Sequence, residues 1–210
     1  MKNLILIGGG GHCRACIDVI EAEGKFKVAG IVDVKEKVGE KVFGYKIIGS
    51  DDDLKVLVKK YKYFLITIGQ VKNFDKRLVV YTRLKKCGVN FPIIISSVAR
   101  VSKYAQIGAG TIVMHQAVVN AGARLGENCI INTGAIVEHD AWIGDHSHIS
   151  TGSVVNGCSK VGNKVFLGSK SVIRENLSIV DETIVGAGSV VIREITQKGT
   201  YVGQPAEKVE

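Results

Sequence analysis

The sequence predicts a two-part chain: a small α/β domain over residues 1–92, an all-β prism of short parallel strands over 93–196, and a tail over 197–210. Three observations carry that reading. Ile95, Val101, Ile107 and every sixth residue onward to Val191 are aliphatic, without a break. Four places after each stands a mostly small residue, as at Ala99, Ala105, Thr111, Ala117, Ala123, Cys129, Ala135, Ala141, Ser147, Ser153 and Ser159. Ahead of this repeat, apolar runs alternate with helix-length segments, the order expected of a parallel sheet with helices on its faces.

A constant period of six is the pattern of a solenoid. One hexapeptide makes one flat side, and three sides close a triangular coil. The aliphatic residue points inward and stacks on its equivalents, and the small residue fits the tight interior beside a corner. Glycine often follows the aliphatic position, as at Gly108, Gly126, Gly144, Gly162, Gly168 and Gly186. At a strand spacing of about 4.8 Å the stretch rises roughly 27 Å. Antiparallel alternation, the competing reading, has a period of two and makes no demand for a small residue every six.

In the front part, Lys2 to Ile7 reads as a buried strand, followed by Gly8-Gly9-Gly10-Gly11-His12 and a helix to about Glu23. A glycine turn between a strand and a helix start suits a phosphate, because backbone N–H groups point at the anion and no side chain blocks its approach. A second strand, Lys27 to Val32, ends at Asp33, an acidic residue able to hold a sugar or base. A strand at Lys46 to Ile48, a helix capped by one of Asp51 to Asp53, a strand from Tyr63 to Ile68 and a helix over Phe74 to Lys86 follow. Ligands of such sheets lie at the strands' carboxyl ends, where Gly9, Gly10, Gly11, His12, Asp33 and Gly69 would gather. Arg14 stands where a dinucleotide fingerprint needs its third glycine, so the domain reads as a trimmed fold that takes one nucleotide. At the other end, Gly203 and Pro205 mark a turn, and the tail is expected to cover the last coil.

Composition narrows the function classes. An apolar share of 46% suits a soluble core, and no long apolar run predicts a membrane span. The five cysteines, odd in number and irregular in spacing, fit a reducing cytoplasm. Cys13-x-x-Cys16 has no second pair with which to complete a zinc site and reads as two ordinary helix residues. The net charge of +8 is scattered and aromatic residues are few, which argues against a nucleic-acid surface and suits small polyanionic substrates.

The Gly-Gly-Gly-Gly-His turn, the hexapeptide run, Val137-Glu138-His139-Asp140 and the Gly203-x-Pro205-Ala206 end together resemble bacterial nucleotide-sugar N-acetyltransferases. That family is typified by the bacillosamine-pathway enzyme that acetylates a UDP-linked 4-amino sugar; its relatives include GDP-perosamine N-acetyltransferases and sialic acid O-acetyltransferases. The resemblance implies a Rossmann-like nucleotide-sugar domain, a left-handed parallel β-helix, acetyl-CoA as co-substrate, no metal, and a homotrimer with active sites between subunits. It implies His139 as catalytic base, Asp140 as the group that orients it, His12 beside the nucleotide phosphates and Asp33 beside the base. It further implies that Asn132 and Thr133 face the sugar, and that Gly157, Gly168, Ser169 and Ala187 meet acetyl-CoA. Ala187 replaces a glycine of some members, and Arg174-Glu175-Asn176 stands where many have a proline-bearing turn.

The chemistry of those residues agrees. An amine attacking a thioester must shed a proton, and a base held in place by a carboxylate serves that step. Gly157 lies one coil beyond His139, so its backbone N–H is the candidate donor to the developing oxyanion. His148 is a candidate for contact with the base or substrate, and His115 and His146 read as surface residues. No His-x4-His pair suggests a metal for catalysis. Cys129 falls on an inward position and Cys158 has no neighbouring base in sequence, so an acyl-cysteine is not expected. The alternatives are O-acetylation of a sialic acid or exopolysaccharide sugar, and a non-catalytic nucleotide-sugar-binding scaffold.

Overall fold

The structure, a computed structural model, describes residues 1–70 and 74–209. It divides into two compact units, Met1–Gly69 with Asp75–Ser97, and Gln70–Phe74 with Val98–Glu210. No described helix is long and apolar enough to cross a membrane.

The first unit contains β1 (Lys2–Ile7), α1 (Gly11–Glu23), β2 (Phe26–Val32), β3 (Lys41–Val42), β4 (Tyr45–Gly49), α2 (Leu54–Lys60), β5 (Tyr63–Ile66) and α3 (Asp75–Lys86). Its sheet runs β3-β4-β2-β1-β5, parallel throughout except for the β3–β4 pair. Leu4 to Ile7 are buried, which is why β1 reads as an uninterrupted apolar run and not an alternating one. The β3–β4 hairpin was not expected from the sequence. Phe43 and Gly44 both take positive φ, 47° and 85°, as a tight two-residue hairpin turn requires, and a phenylalanine in the first place hides the usual Asn-Gly signal. The capping of the segment before α2 also differs in detail. Ser50 leads it, and its N–H donates to Asp53 Oδ2 at 2.8 Å, so Asp53, which stands at the N-cap of α2 as expected, turns its carboxylate back to close a capping box on the preceding turn. β5 ends at Ile66, two residues short of expectation, because Thr67 turns its hydroxyl onto the carbonyls of Ile7 (3.0 Å) and Gly8 (2.7 Å).

The second unit is the predicted coil. Its three faces are parallel, and each two-residue strand pairs with the one a full coil away, as in Val118↔Ile136 and Trp142↔Lys160. Every aliphatic repeat position from Val113 to Val191 is buried, whereas Val101 and Ile107 in the first coil are partly exposed. Serine and threonine survive in this interior because their hydroxyls donate to backbone carbonyls, as Thr111 does to Gly126 (2.7 Å), Ser153 to Gly168 (2.7 Å) and Ser159 to Arg174 (2.7 Å). The glycines after the aliphatic positions have a steric cause. A Cβ on Gly108 would lie 2.5 Å from the Gly126 carbonyl carbon, and one on Gly144 2.6 Å from that of Gly162.

The corners repeat as strictly as the faces. Gly122, Asp140, Cys158 and Asn176 occupy one corner in successive coils, with φ between 58° and 76°. A left-handed backbone costs a residue with a Cβ about 1–2 kcal/mol. A ladder of bonds offsets it: the N–H of Asp140 donates to the Ala121 carbonyl, that of Cys158 to His139 and that of Asn176 to Gly157, at 3.0–3.1 Å. The tail strand Thr200–Val202 pairs with Ile184–Val185 as one more rung, then folds back on Glu207–Lys208.

Candidate functional site

His139 and Asp140 form the turn at one such corner. His139 Nδ1 and Asp140 Oδ2 are 3.0 Å apart, with the two side chains 62% and 64% exposed. A carboxylate accepts only, so the imidazole holds a proton on Nδ1, and in the neutral ring Nε2 is the lone-pair nitrogen. Glu138 is drawn aside, its carboxylate accepting from Asn120 Nδ2 at 2.7 Å. Of the two acids flanking the histidine, only Asp140 orients the ring. Gly157, buried in the next coil, faces that ring: a Cβ there would sit 2.7 Å from both Cε1 and Nε2. Gly122, one coil earlier, leaves room for the Asp140 carboxylate in the same way.

On an adjacent face, His148 is buried and engaged at both ring nitrogens. Nδ1 donates to the Gln70 carbonyl at 2.6 Å, and Nε2 accepts from Asn132 Nδ2 at 3.1 Å. That is the neutral Nδ1–H tautomer. Asn132 Oδ1 in turn accepts from the Thr133 N–H at 2.8 Å, so His148 orients the Asn132–Thr133 pair from beneath. The sequence could not show this, because the Gln70 carbonyl lies far from the repeat. The positions expected to meet CoA are mixed. Ser169 and Ala187 are exposed, with Ser169 Oγ 3.1 Å from Ser150 Oγ. Gly168 is buried, and a Cβ on it would strike the Ala187 amide nitrogen at 2.5 Å, so coil stacking already accounts for this glycine.

In the first unit a cleft of about 830 Å³ is lined by Gly9, Gly10, Gly11, His12, Asp33 and Gly69 together with Lys35, Lys37, Ser50, Asp51, Thr67 and Lys76, among others. Asp33 is the clasp of the glycine turn: Oδ2 accepts from Gly9 N–H at 2.9 Å, Oδ1 accepts from Val34 N–H at 2.8 Å, and Lys37 Nζ lies 3.5 Å away. A Cβ on Gly9 would come within 2.8 Å of that carboxylate, whereas Gly10 and Gly11 face open space at the start of α1. Gly69 faces His12, whose Nε2 is 3.4 Å from Cys16 Sγ. Thr67 and the lysines were missed from the sequence; only the Asp33–Lys37 spacing of four hinted at them. Cys13 and Cys16 are both buried. Burial pushes the Cys13 thiol up to about 11, the nearby Asp33 charge adding to it and a hydrogen bond with Thr67 opposing it, and burial raises Cys16 further. Neither is a thiolate at neutral pH, so the pair is inert.

Comparison with known proteins follows the same division. Residues 3–84 match the PglD N-terminal domain, and residues 122–157, which include His139, Asp140 and Gly157, match the bacterial transferase hexapeptide (six repeats). PerB from Caulobacter crescentus, solved in complex with CoA and GDP-perosamine, is 31% identical over 100% of this chain and 98% of its own, with a TM-score of 0.92. The chain belongs to the PglD-like nucleotide-sugar N-acetyltransferases. The acetyltransferase domain of PglB from Neisseria gonorrhoeae FA1090, solved with acetyl coenzyme A, is 29% identical over 99% of both chains, with a TM-score of 0.90. No curated protein matches the chain. The three-sided coil is therefore the hexapeptide left-handed β-helix of this family, wound against the usual right-handed crossover preference.

Proposed function

We propose that this PglD-like enzyme acetylates the amino group of a UDP-linked 4-amino-4,6-dideoxy sugar, using acetyl-CoA and His139 as general base. The observation that carries the reading is the Nδ1–Asp140 pairing at 3.0 Å, which leaves Nε2 as acceptor above a glycine. In the step, the sugar nitrogen attacks the thioester carbonyl carbon while Nε2 takes the amine proton. The Gly157 N–H is the proposed donor to the tetrahedral oxyanion. The C–S bond then breaks, and the CoA sulfur leaves with the proton returned from the imidazolium. The cleft of the first unit takes the nucleotide, its diphosphate against Gly10, Gly11 and His12. Asp33 acts on that ligand through the loop it clasps as well as through any contact of its own. Asn132 and Thr133 meet the sugar, with His148 positioning them, and Gly157, Gly168, Ser169 and Ala187 border the CoA. The reading includes a homotrimer with the His139 corner at a subunit seam, and a cytoplasmic enzyme. Complexes of PerB with CoA and GDP-perosamine and of the PglB domain with acetyl coenzyme A support it.

The test is acetyl transfer to a panel of UDP-, GDP-, dTDP- and CMP-linked amino sugars, with product resolved by mass. UDP-linked 4-amino sugars are expected to turn over fastest, and His139→Ala to lose turnover while still binding nucleotide in thermal shift. Full activity in His139→Ala, or preference for a hydroxyl acceptor, overturns the reading.

A further inference from the structure

The corner that holds His139 contains a residue that acetyl transfer does not use. Cys158 follows Asp140 by one coil and takes the same left-handed turn, with φ of 60° against 59°. Glycine and asparagine are the residues such a backbone favours, and they occupy it at Gly122 and Asn176. Other corners of the coil carry Gln116, His146, Lys164, Lys170 and Glu182 in the same conformation, so the turn admits a cysteine without demanding one, and what distinguishes Cys158 is its neighbours. That side chain is exposed, unlike those of Cys13, Cys16 and Cys129.

Among the described residues, His139, Asp140 and Cys158 are the one group of three possible metal ligands whose donor atoms all lie within 4.8 Å of one another. We propose that this corner binds a single Zn²⁺-like transition-metal ion, and that occupancy switches the enzyme off by taking the imidazole as a ligand. The inhibitory half of the proposal rests on His139 being the base; the binding half does not. The donor set decides the class of ion. Imidazole nitrogen, carboxylate oxygen and thiolate sulfur suit zinc, cobalt(II) or nickel, whereas magnesium and calcium want oxygen alone. Bonds of about 2.0–2.3 Å place tetrahedral ligands about 3.5 Å apart, so the donors must close by about 1 Å. The high exposure of the His139 and Asp140 side chains leaves their rotamers free to do so. On binding, the His139–Asp140 hydrogen bond is exchanged for bonds to the ion, and the imidazole keeps its one proton on the ring nitrogen that the metal leaves free. The Cys158 thiol gives its proton to solvent, and water completes the fourth position. No step of catalysis runs through the ion.

Cobalt(II) titration of the full-length protein tests the site by its spectrum. The expected result is visible d–d bands with a thiolate-to-cobalt charge-transfer band, both abolished by added Zn²⁺. The charge-transfer band should be lost in Cys158→Ser and weakened in His139→Asn, and should persist in Cys87→Ser, where the other exposed thiol is removed. No such band, or a band indifferent to Cys158→Ser, overturns the proposal. In parallel, acetylated sugar is measured directly, because free CoA thiol itself binds zinc. Zn²⁺ should suppress wild-type turnover reversibly to chelator, and Cys158→Ser should turn over normally and resist the ion. If the spectrum behaves as expected while His139→Ala keeps full activity, the metal site stands and the assignment of the base falls.

Discussion

The two units place their functional residues by opposite means. In the β-helix, position in space follows from position in the repeat, so His139, Asp140, Gly157 and Cys158 meet because they lie one coil apart at one corner. In the α/β unit, Gly9, Asp33, Ser50 and Thr67 line one cleft only after four strands have been set side by side. The repeat is a one-dimensional device in which each rung is defined by its neighbours. The sheet is a long-range device whose contacts span up to sixty residues, as in the Thr67–Ile7 bond. A site on a ladder can be read by counting; a site at the end of a parallel sheet must be folded first.

The sharpest way to break that contrast is a shift of phase. Deleting Thr151 puts every later rung one residue out of register, turning buried positions outward. The expected outcome is loss of the cooperative thermal transition in far-UV circular dichroism. Removing one whole coil, residues 160–177, should leave a shorter prism that still melts cooperatively. Deleting Glu36, in an exposed segment after β2, should lower Tm and keep the transition. Next in size, His139→Ala is expected to cut kcat by about 10²–10⁴-fold with Tm unchanged, because the ring is exposed and its loss leaves no cavity. Steady-state kinetics beside a melting curve checks both halves.

Asp33→Asn probes the clasp of the other site. The carboxylate accepts two backbone N–H bonds, and an amide can accept with only one end, so a cost of about 1–3 kcal/mol in stability is expected, with weaker nucleotide binding. Chemical denaturation and calorimetry measure the two effects. Gly157→Ala should lower kcat by about 10–100-fold by displacing the His139 ring, with little change in stability, since an exposed ring can swing away. The smallest effect concerns pH. The Cys13 thiol is raised in the folded state from 9.0 to about 11, so its contribution is fully present below pH 9 and is lost as pH rises toward 11. Replacing Cys13 by alanine should flatten the fall of Tm over that window relative to the wild type.

Legibility in the sequence followed the same line. The coil, its register, its inward residues and the adjacency of His139 to Gly157 were readable from period six, because each hexapeptide repeats one local geometry. The front strands and helices were readable to within a residue or two, but the β3–β4 hairpin was hidden by Phe43 in a glycine-like turn position. The family resemblance named Asp140 as the partner of His139, but the residues alone did not separate it from Glu138, and the structure supplies the physical reason in Asn120 drawing Glu138 away.

The sequence by itself determined the three-sided coil, its inward-facing column and the stacking of Gly157 one coil from His139. These depend on interactions between positions at a constant separation, which any regular repeat displays. Only the tertiary structure decided that Asp33 clasps the glycine turn, that Gln70 and Asn132 hold His148 in one tautomer, and that Asn120 draws Glu138 away from His139. Those are matters of side-chain direction and of chain closure between distant segments, and no period in the sequence records them.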